Sequence, residues 1–231
     1  MRGIFIVGTD TGVGKTEIGC AVLRLWAARG LTPRALKPVE TGCKPDAPED
    51  ALALRAACGP PYDALSLDEV CPHRFLLPAA PLIAAEAERR VVEPAKLDAC
   101  IQAASSAGAP LLVEAAGGLL VPLWREGART LTNLDLVEQL GLPALLVGRA
   151  GLGTINHCAL SAQALAHRGI PILAIALNRT SPDADPTLET NARAIAELTG
   201  QRVLGPGPFE SAPSRRGPAL QRWLEGFDLF P

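Results

Sequence analysis

The sequence predicts an α/β fold: a mostly parallel sheet flanked by helices, with residues 1 to 231 forming a single domain. Three observations predict it. Short apolar runs rich in branched residues recur along the chain, amphipathic stretches of helical length separate them, and no segment has both the length and the composition of a linker. A helix between two neighbouring strands of one sheet makes those strands parallel and the crossover right-handed.

The elements follow in order. GIFIVG at 3–8 opens the chain as a strand apolar on both faces. Residues 15–29 form a helix that Gly30 ends, and RALKPV at 34–39 is the second strand. Helical patterns at 50–58, 81–89 and 94–107 precede the third strand, PLLVEAA at 110–116. A helix at 132–140 stops at Gly141-Leu142-Pro143, where PALLVG (143–148) resumes the sheet. The helix at 154–168 gives way through Gly169 to IPILAIAL (170–177), and the helix at 186–199 leads to RVLG at 202–205. Segments 40–49, 122–131, 178–185 and 205–218, richer in Gly, Pro and polar residues, are expected to be loops, and no internal repeat is present.

Composition narrows the function. With 22 basic against 24 acidic side chains the net charge is −2, too little positive charge for a protein that grips nucleic acid through a broad basic surface. Apolar runs are of strand length, far below the ~20 residues a membrane helix needs. The N-terminus has no signal-peptide pattern, so a cytoplasmic location is expected. Six scattered cysteines without a C-x-x-C pair and three histidines without ligand spacing point away from zinc and disulfide scaffolds.

The informative stretch is Gly8-Thr9-Asp10-Thr11-Gly12-Val13-Gly14-Lys15-Thr16, strand before it and helix after. Glycines let the backbone wrap a phosphate closely enough for successive N–H groups to point at its oxygens. Lys15 supplies a charge to the terminal phosphates, and the Thr16 hydroxyl stands where Mg²⁺ is bound. Five residues, one more than the standard four, separate Gly8 from Gly14-Lys15-Thr16. The fold class is therefore P-loop NTPase-type α/β, with a nucleoside triphosphate as ligand.

Such sheets bind their ligands at the carboxyl ends of the strands, and three further residues are candidates there. Lys37 lies in an apolar strand, where burial requires an anionic partner; an edge lysine reaching solvent is the other reading. Glu114 ends an apolar run before Gly117-Gly118 and faces either Mg²⁺ or a neighbouring cation. Asp50 precedes the run ALALRAAC, where helix capping alone accounts for it.

Together these segments resemble the dethiobiotin synthetase family over most of the chain. The resemblance rests on Gly-Thr-Asp-Thr-x-Val-Gly-Lys-Thr at 8–16, whose longer loop is similar to the family's own, and on Lys-Pro-Val-x-Thr-Gly at 37–42. Asp-Ala-Leu-Ala-Leu at 50–54, Val-Glu-x-Ala-Gly-Gly at 113–118, Gly-Leu-Gly-Thr-Ile-Asn-His at 151–157 and Asn178 support it. It implies an ATP-dependent ligase that carboxylates 7,8-diaminononanoate and closes the ureido ring of dethiobiotin. It implies Mg²⁺ among Thr16, Asp50 and Glu114, and phosphates held by Lys15 and the 11–16 backbone, with Glu17 alongside. Lys37, with Lys15, would stabilise the carbamate and the transferring phosphoryl group. Thr11, Thr41 and Gly118 would contact the substrate. Ala115, Ala116, Gly117, Asn178, Arg179 and the segment Gly207-Pro208-Phe209-Glu210 would complete the nucleotide site. Leu152, Gly153, Thr154 and Asn156 would take the substrate carboxylate across a homodimer interface, a fitting place for an anion at a helix N-terminus. Two departures stand out. The family's Glu-Gly-Ala-Gly-Gly reads Glu114-Ala115-Ala116-Gly117-Gly118, placing a methyl group where the backbone approaches substrate or needs φ > 0. Its Ser-Pro-His reads Ala80-Pro81-Leu82, removing two polar groups near the expected diamine site.

Rival nucleotide-dependent readings fit less well. Partitioning ATPases carry a signature lysine where this chain has Asp10, and GTPases read guanine with Asn-Lys-x-Asp where it has Asn178-Arg179-Thr180-Ser181. Cobyrinate-type amide-forming synthetases carry a glutamine-hydrolysing domain for which 231 residues are too few.

Overall fold

A computed structural model describes residues 2–182 and 185–229. Its centre is a six-stranded, all-parallel sheet that runs from edge to edge as Val203–Leu204 (β10), Ile172–Asn178 (β9), Ala144–Arg149 (β8), Gly3–Gly8 (β1), Leu111–Gly118 (β5) and Arg34–Leu36 (β2). Because strand side chains alternate, β1 divides its apolar residues between two cores. Ile4 and Ile6 pack under Lys15–Ala28 (α1), Glu49–Cys58 (α2) and Pro213–Glu225 (α9). Phe5 and Val7 face the other layer, which includes Pro81–Ala87 (α4), Pro94–Ser106 (α5), Asn133–Leu140 (α6), Thr154–His167 (α7) and Leu188–Thr199 (α8). A short helix, Leu67–Val70 (α3), leads out of the α2 region. Among the described residues no helix is long and apolar enough to cross a membrane.

Helix boundaries agree with the sequence reading to within two residues. The expected strand 34–39, however, breaks in the middle. Pro38 has no N–H to give a ladder, and the Lys37 N–H donates to Val70 O instead (2.7 Å). The chain thereby leaves the main sheet at Leu36. Val39–Thr41 (β3) pairs in parallel with His73–Phe75 (β4) as a separate two-stranded sheet, so the expected loop 40–49 begins inside a strand.

Two other expected loops are regular. Residues 122–131 form most of a β-hairpin, Pro122–Glu126 (β6) against Arg129–Thr132 (β7), turned by Gly127 at φ 59°. Residues 205–218 run into α9, whose Leu220 and Leu224 are fully buried against α1. Pro218 lies inside that helix, and such prolines discourage a helical reading of the sequence.

Candidate active site at the carboxyl end of the first strand

The strands adjoining β1 connect in opposite directions, and the crevice this opens is occupied by the loop 9–14. Gly12 and Gly14 adopt φ 70° and 90°, the left-handed region that glycine enters without strain. At Gly14 the requirement is also steric: a Cβ there would stand 2.0 Å from Asn178 Nδ2. That amide donates to Val13 O (3.0 Å), fastening β9 to the loop. Lys15 folds back over the loop, its ammonium donating to Asp10 O (3.1 Å). Burial, and then the neighbouring Lys37 charge, lower its pKa.

Lys37, at the point where the chain leaves β2, is only 3% exposed. Its Nζ lies 2.5 Å from Glu114 Oε1 and 2.7 Å from Asp50 Oδ2. Thr16 Oγ1 donates to the same Glu114 oxygen (2.8 Å). The three residues come from β5, α2 and the β2 end, so the sheet register brings them together rather than any local sequence pattern. Burial alone would lower the Lys37 pKa, but the Glu114 and Asp50 carboxylates outweigh it and hold the ammonium strongly protonated. Burial likewise opposes ionisation of Asp50, yet the Lys37 charge and hydrogen bonds from Lys37 and Thr16 leave its pKa lowered. The edge-lysine reading of Lys37 is thus excluded.

The capping reading of Asp50 also falls. Pro48 is the N-cap of α2, and no side chain of its own caps it. Glu40, on β3, accepts instead from Asp50 N (3.1 Å) and Ala51 N (2.9 Å). This remote cap releases the Asp50 side chain toward Lys37. Burial raises the Glu40 pKa against those two backbone donors. The sequence reading missed Glu40; the signal was a helix start lacking Ser, Thr or Asn and preceded by proline.

These groups face one cleft of about 740 Å³. Of the sequence-predicted residues, Thr11, Gly12, Gly14, Lys15, Thr16, Glu17, Lys37, Thr41, Asp50, Glu114, Ala116 and Gly117 line it. Val13 and Ala115 do not: both are fully buried. Ala115 has no positive φ and its methyl packs in the core, so the strain expected of a non-glycine there does not arise. Ala80 and Pro81 line the cleft beside Pro78 and Ala79, giving that wall an apolar character, whereas Leu82 does not reach it. Gly118, Asn178, Arg179 and 207–210 lie outside the lining, Asn178 being fully buried, as do Leu152, Gly153, Thr154 and Asn156 at the N-terminus of α7. The sequence reading also missed Arg216, which lines the cleft from α9 and pairs with Glu17 (2.7 Å). Two buried polar atoms among the described residues have no partner: Glu114 Oε2 and Asn178 Oδ1.

A glycine loop between strand and helix, a lysine at its end and a parallel sheet behind it define a P-loop nucleotide-binding protein. The family described as an AAA domain matches residues 2–214. A ParA family ATPase from Chlorobium tepidum TLS shares the fold at a TM-score of 0.53, covering 97% of this chain and 91% of its own at 15% identity. The position of the partitioning ATPases' signature lysine is Asp10 here, paired with Arg149 (3.1 Å). Much closer in sequence is the ATP-dependent dethiobiotin synthetase BioD of Anaeromyxobacter dehalogenans (strain 2CP-C), 47% identical over 95% of this chain and 96% of that protein. The protein of that name from Thermodesulfovibrio yellowstonii is 36% identical over 90% and 88%. The chain belongs to the ATP-dependent dethiobiotin synthetase family, and is a ligase.

Proposed function

We propose that the chain makes dethiobiotin from 7,8-diaminononanoate, CO₂ and ATP. One amine takes up CO₂ as a carbamate, a carbamate oxygen attacks the γ-phosphate to give a carbamic-phosphoric anhydride and ADP, and the second amine closes the ring with loss of phosphate. The observation that carries this is the buried Lys37 ammonium, held by two carboxylates beside the phosphate loop. A fixed cation there neutralises charge on both the carbamate and the transferring phosphoryl group, which together with positioning is most of what phosphoryl transfer needs. Lys15 and the 11–16 backbone hold the phosphates. Thr11 and Thr41 contact the substrate along the wall that Ala80 and Pro81 make apolar, a surface suited to the methylene chain, and Gly118 supports that wall from outside the lining.

The donor set fits Mg²⁺. Thr16, Asp50 and Glu114 offer only hard oxygens, and Glu114 Oε2 is an orphaned acceptor. When bound, Mg²⁺ supplies charge neutralisation of the transferring phosphate.

Asn178, with its unpaired Oδ1, reads the base together with Arg179 and the segment Gly207-Pro208-Phe209-Glu210, while Ala116 and Gly117 border the phosphates and Ala115 supports them from the core. Leu152, Gly153, Thr154 and Asn156 serve the other copy of a homodimer by receiving its substrate carboxylate. Their exclusion from their own cleft and the 91% exposure of Leu152 support that arrangement. Residues 1 to 231 act as one domain in the cytoplasm, where the six unpaired thiols suit a reducing compartment. The test is phosphate release from MgATP with diaminononanoate and bicarbonate, each omitted in turn, with mass spectrometry of the product. Release that requires the diamine, and a product heavier by CO₂ minus water, is expected; release indifferent to the diamine overturns the reading.

A further inference from the structure

The cleft runs along the carboxyl edge of the sheet, with β1 between its two ends. Glu114 belongs to β5 and Lys37 directly follows β2 on one side of β1, whereas Thr180, which also lines the cleft, follows β9 on the other. With neighbouring strands ~4.8 Å apart, β9 and β2 are roughly 19 Å from each other, four strand spacings. A triphosphate lying along the loop with its γ-phosphate toward Lys37 therefore directs its α-phosphate and nucleoside toward Asn178, Glu17 and Arg216.

At that end Glu17 poses an electrostatic problem, being a carboxylate in the first turn of α1 where a polyanion is to lie. Arg216 meets it, with Nη2 2.7 Å from Glu17 Oε2 and 3.5 Å from Arg179 O. The guanidinium carbon stands 5.8 Å from the centre of the Phe209 ring, which fixes its plane. Nε and Nη1 have no partner in the described structure, and the side chain borders both the main cleft and an adjoining groove of about 280 Å³. A half-exposed ion pair contributes little to folding by itself. A planar, pre-oriented fork with spare donors beside a phosphate loop is a phosphate ligand.

We propose that Arg216 is a nucleotide-binding residue: its guanidinium, braced by Glu17 and Phe209, donates to the α-phosphate of bound ATP. The inference rests on ATP being the co-substrate, and not on the identity of the amine.

Calorimetric titration of the full chain with ADP and with AMP, Mg²⁺ present, tests it. Arg216→Ala is expected to weaken both nucleotides by about 10- to 100-fold, the effect of losing a charged hydrogen bond. Arg216→Lys, which keeps the charge but not the fork, should weaken both by about 3- to 10-fold and decides the matter if the alanine variant does not fold. The pair Arg216→Ala with Glu17→Gln should remain as weak as Arg216→Ala alone. Arg222→Ala, an exposed loss of charge from the same helix, should bind as wild type. Affinity within threefold of wild type in both Arg216 variants overturns the proposal. So does a loss for ADP but not AMP, or recovery in the double variant, which would leave Arg216 merely neutralising Glu17. A wild-type chain that binds ADP yet releases no phosphate with the diamine would sink the reaction and leave this inference standing.

Discussion

The two ends of the cleft hold their charges differently. At the Lys37 end the cation is buried, bonded to two carboxylates, and drawn from three elements that only the sheet brings together. At the Arg216 end the side chains are 22% and 39% exposed, and the cation sits on α9, which packs along α1, the helix that follows the phosphate loop. Buried charges cannot move without large cost, which suits the first end to the bond making proposed for Lys37 and the second, partly wet, to the nucleotide contact proposed for Arg216.

Breaking the buried end should give the largest effect. Lys37→Ala leaves Glu114 and Asp50 facing each other uncompensated, and we expect at least a ~10³-fold fall in kcat with about 3–5 kcal/mol lost in urea unfolding. If the alanine variant is as active as wild type, the buried end is not where the chemistry occurs. Next comes the loop that joins the ends. In Gly14→Ala a methyl meets the Asn178 amide at φ 90°, and roughly 1–3 kcal/mol of strain should abolish detectable ADP binding by calorimetry.

Glu40→Gln sharpens the comparison, since Glu40 lines the cleft but hydrogen-bonds the α2 backbone rather than Lys37 or Glu114. It should cost about 1 kcal/mol of stability and lower kcat by ~3- to 10-fold while leaving ADP affinity unchanged. A change in ADP affinity would mean that the two ends are coupled.

The pH dependence tests the support beneath Lys37. His73 donates from Nδ1 to Pro38 O (3.1 Å) and accepts the Glu93 N–H at Nε2 (2.9 Å), so only its neutral form fits, and burial lowers its pKa. The unfolded chain then binds the proton first: stability holds above about pH 6.5 and declines as the pH falls from there toward the lowered native value. Thermal unfolding between pH 7.5 and 5 should show this slope, and His73→Asn should flatten it. The smallest expected change is Asp10→Asn, which breaks a half-exposed pair with Arg149 and should shift stability by less than ~0.5 kcal/mol.

Legibility followed the same division. β1, β5, β8 and β9 read directly from sequence because each is a largely apolar run punctuated by Gly or Pro, whereas the strand expected at 34–39 stops at Leu36 and the one at 202–205 shrinks to two residues. The phosphate loop read directly because its glycines, Lys15 and Thr16 are contiguous. What escaped depends on pairing at a distance. The two strands 39–41 and 73–75 are three residues each and find each other across the intervening helices α2 and α3. The hairpin at 122–132 has one buried face and a charged turn, and so passed for a loop. Glu40 caps a helix nine residues away, and Arg216 reaches Glu17 from the far end of the chain; neither contact leaves a local signature.

That last contact belongs to a longer seam. The Trp26 indole N–H, near the end of α1, donates to Leu229 O (2.9 Å), 203 residues later, and α9 lies along α1 between the two points. A ribosome adding ~5–20 residues each second needs roughly 10 to 40 seconds to cover that interval. Throughout it the phosphate-loop helix stands with one apolar flank bare, although its strand and glycine turn were translated first. The nascent chain therefore exposes that flank to chaperones until α9 has been made, and a stop codon placed before Leu220 would injure a helix that lies almost 200 residues earlier in the sequence.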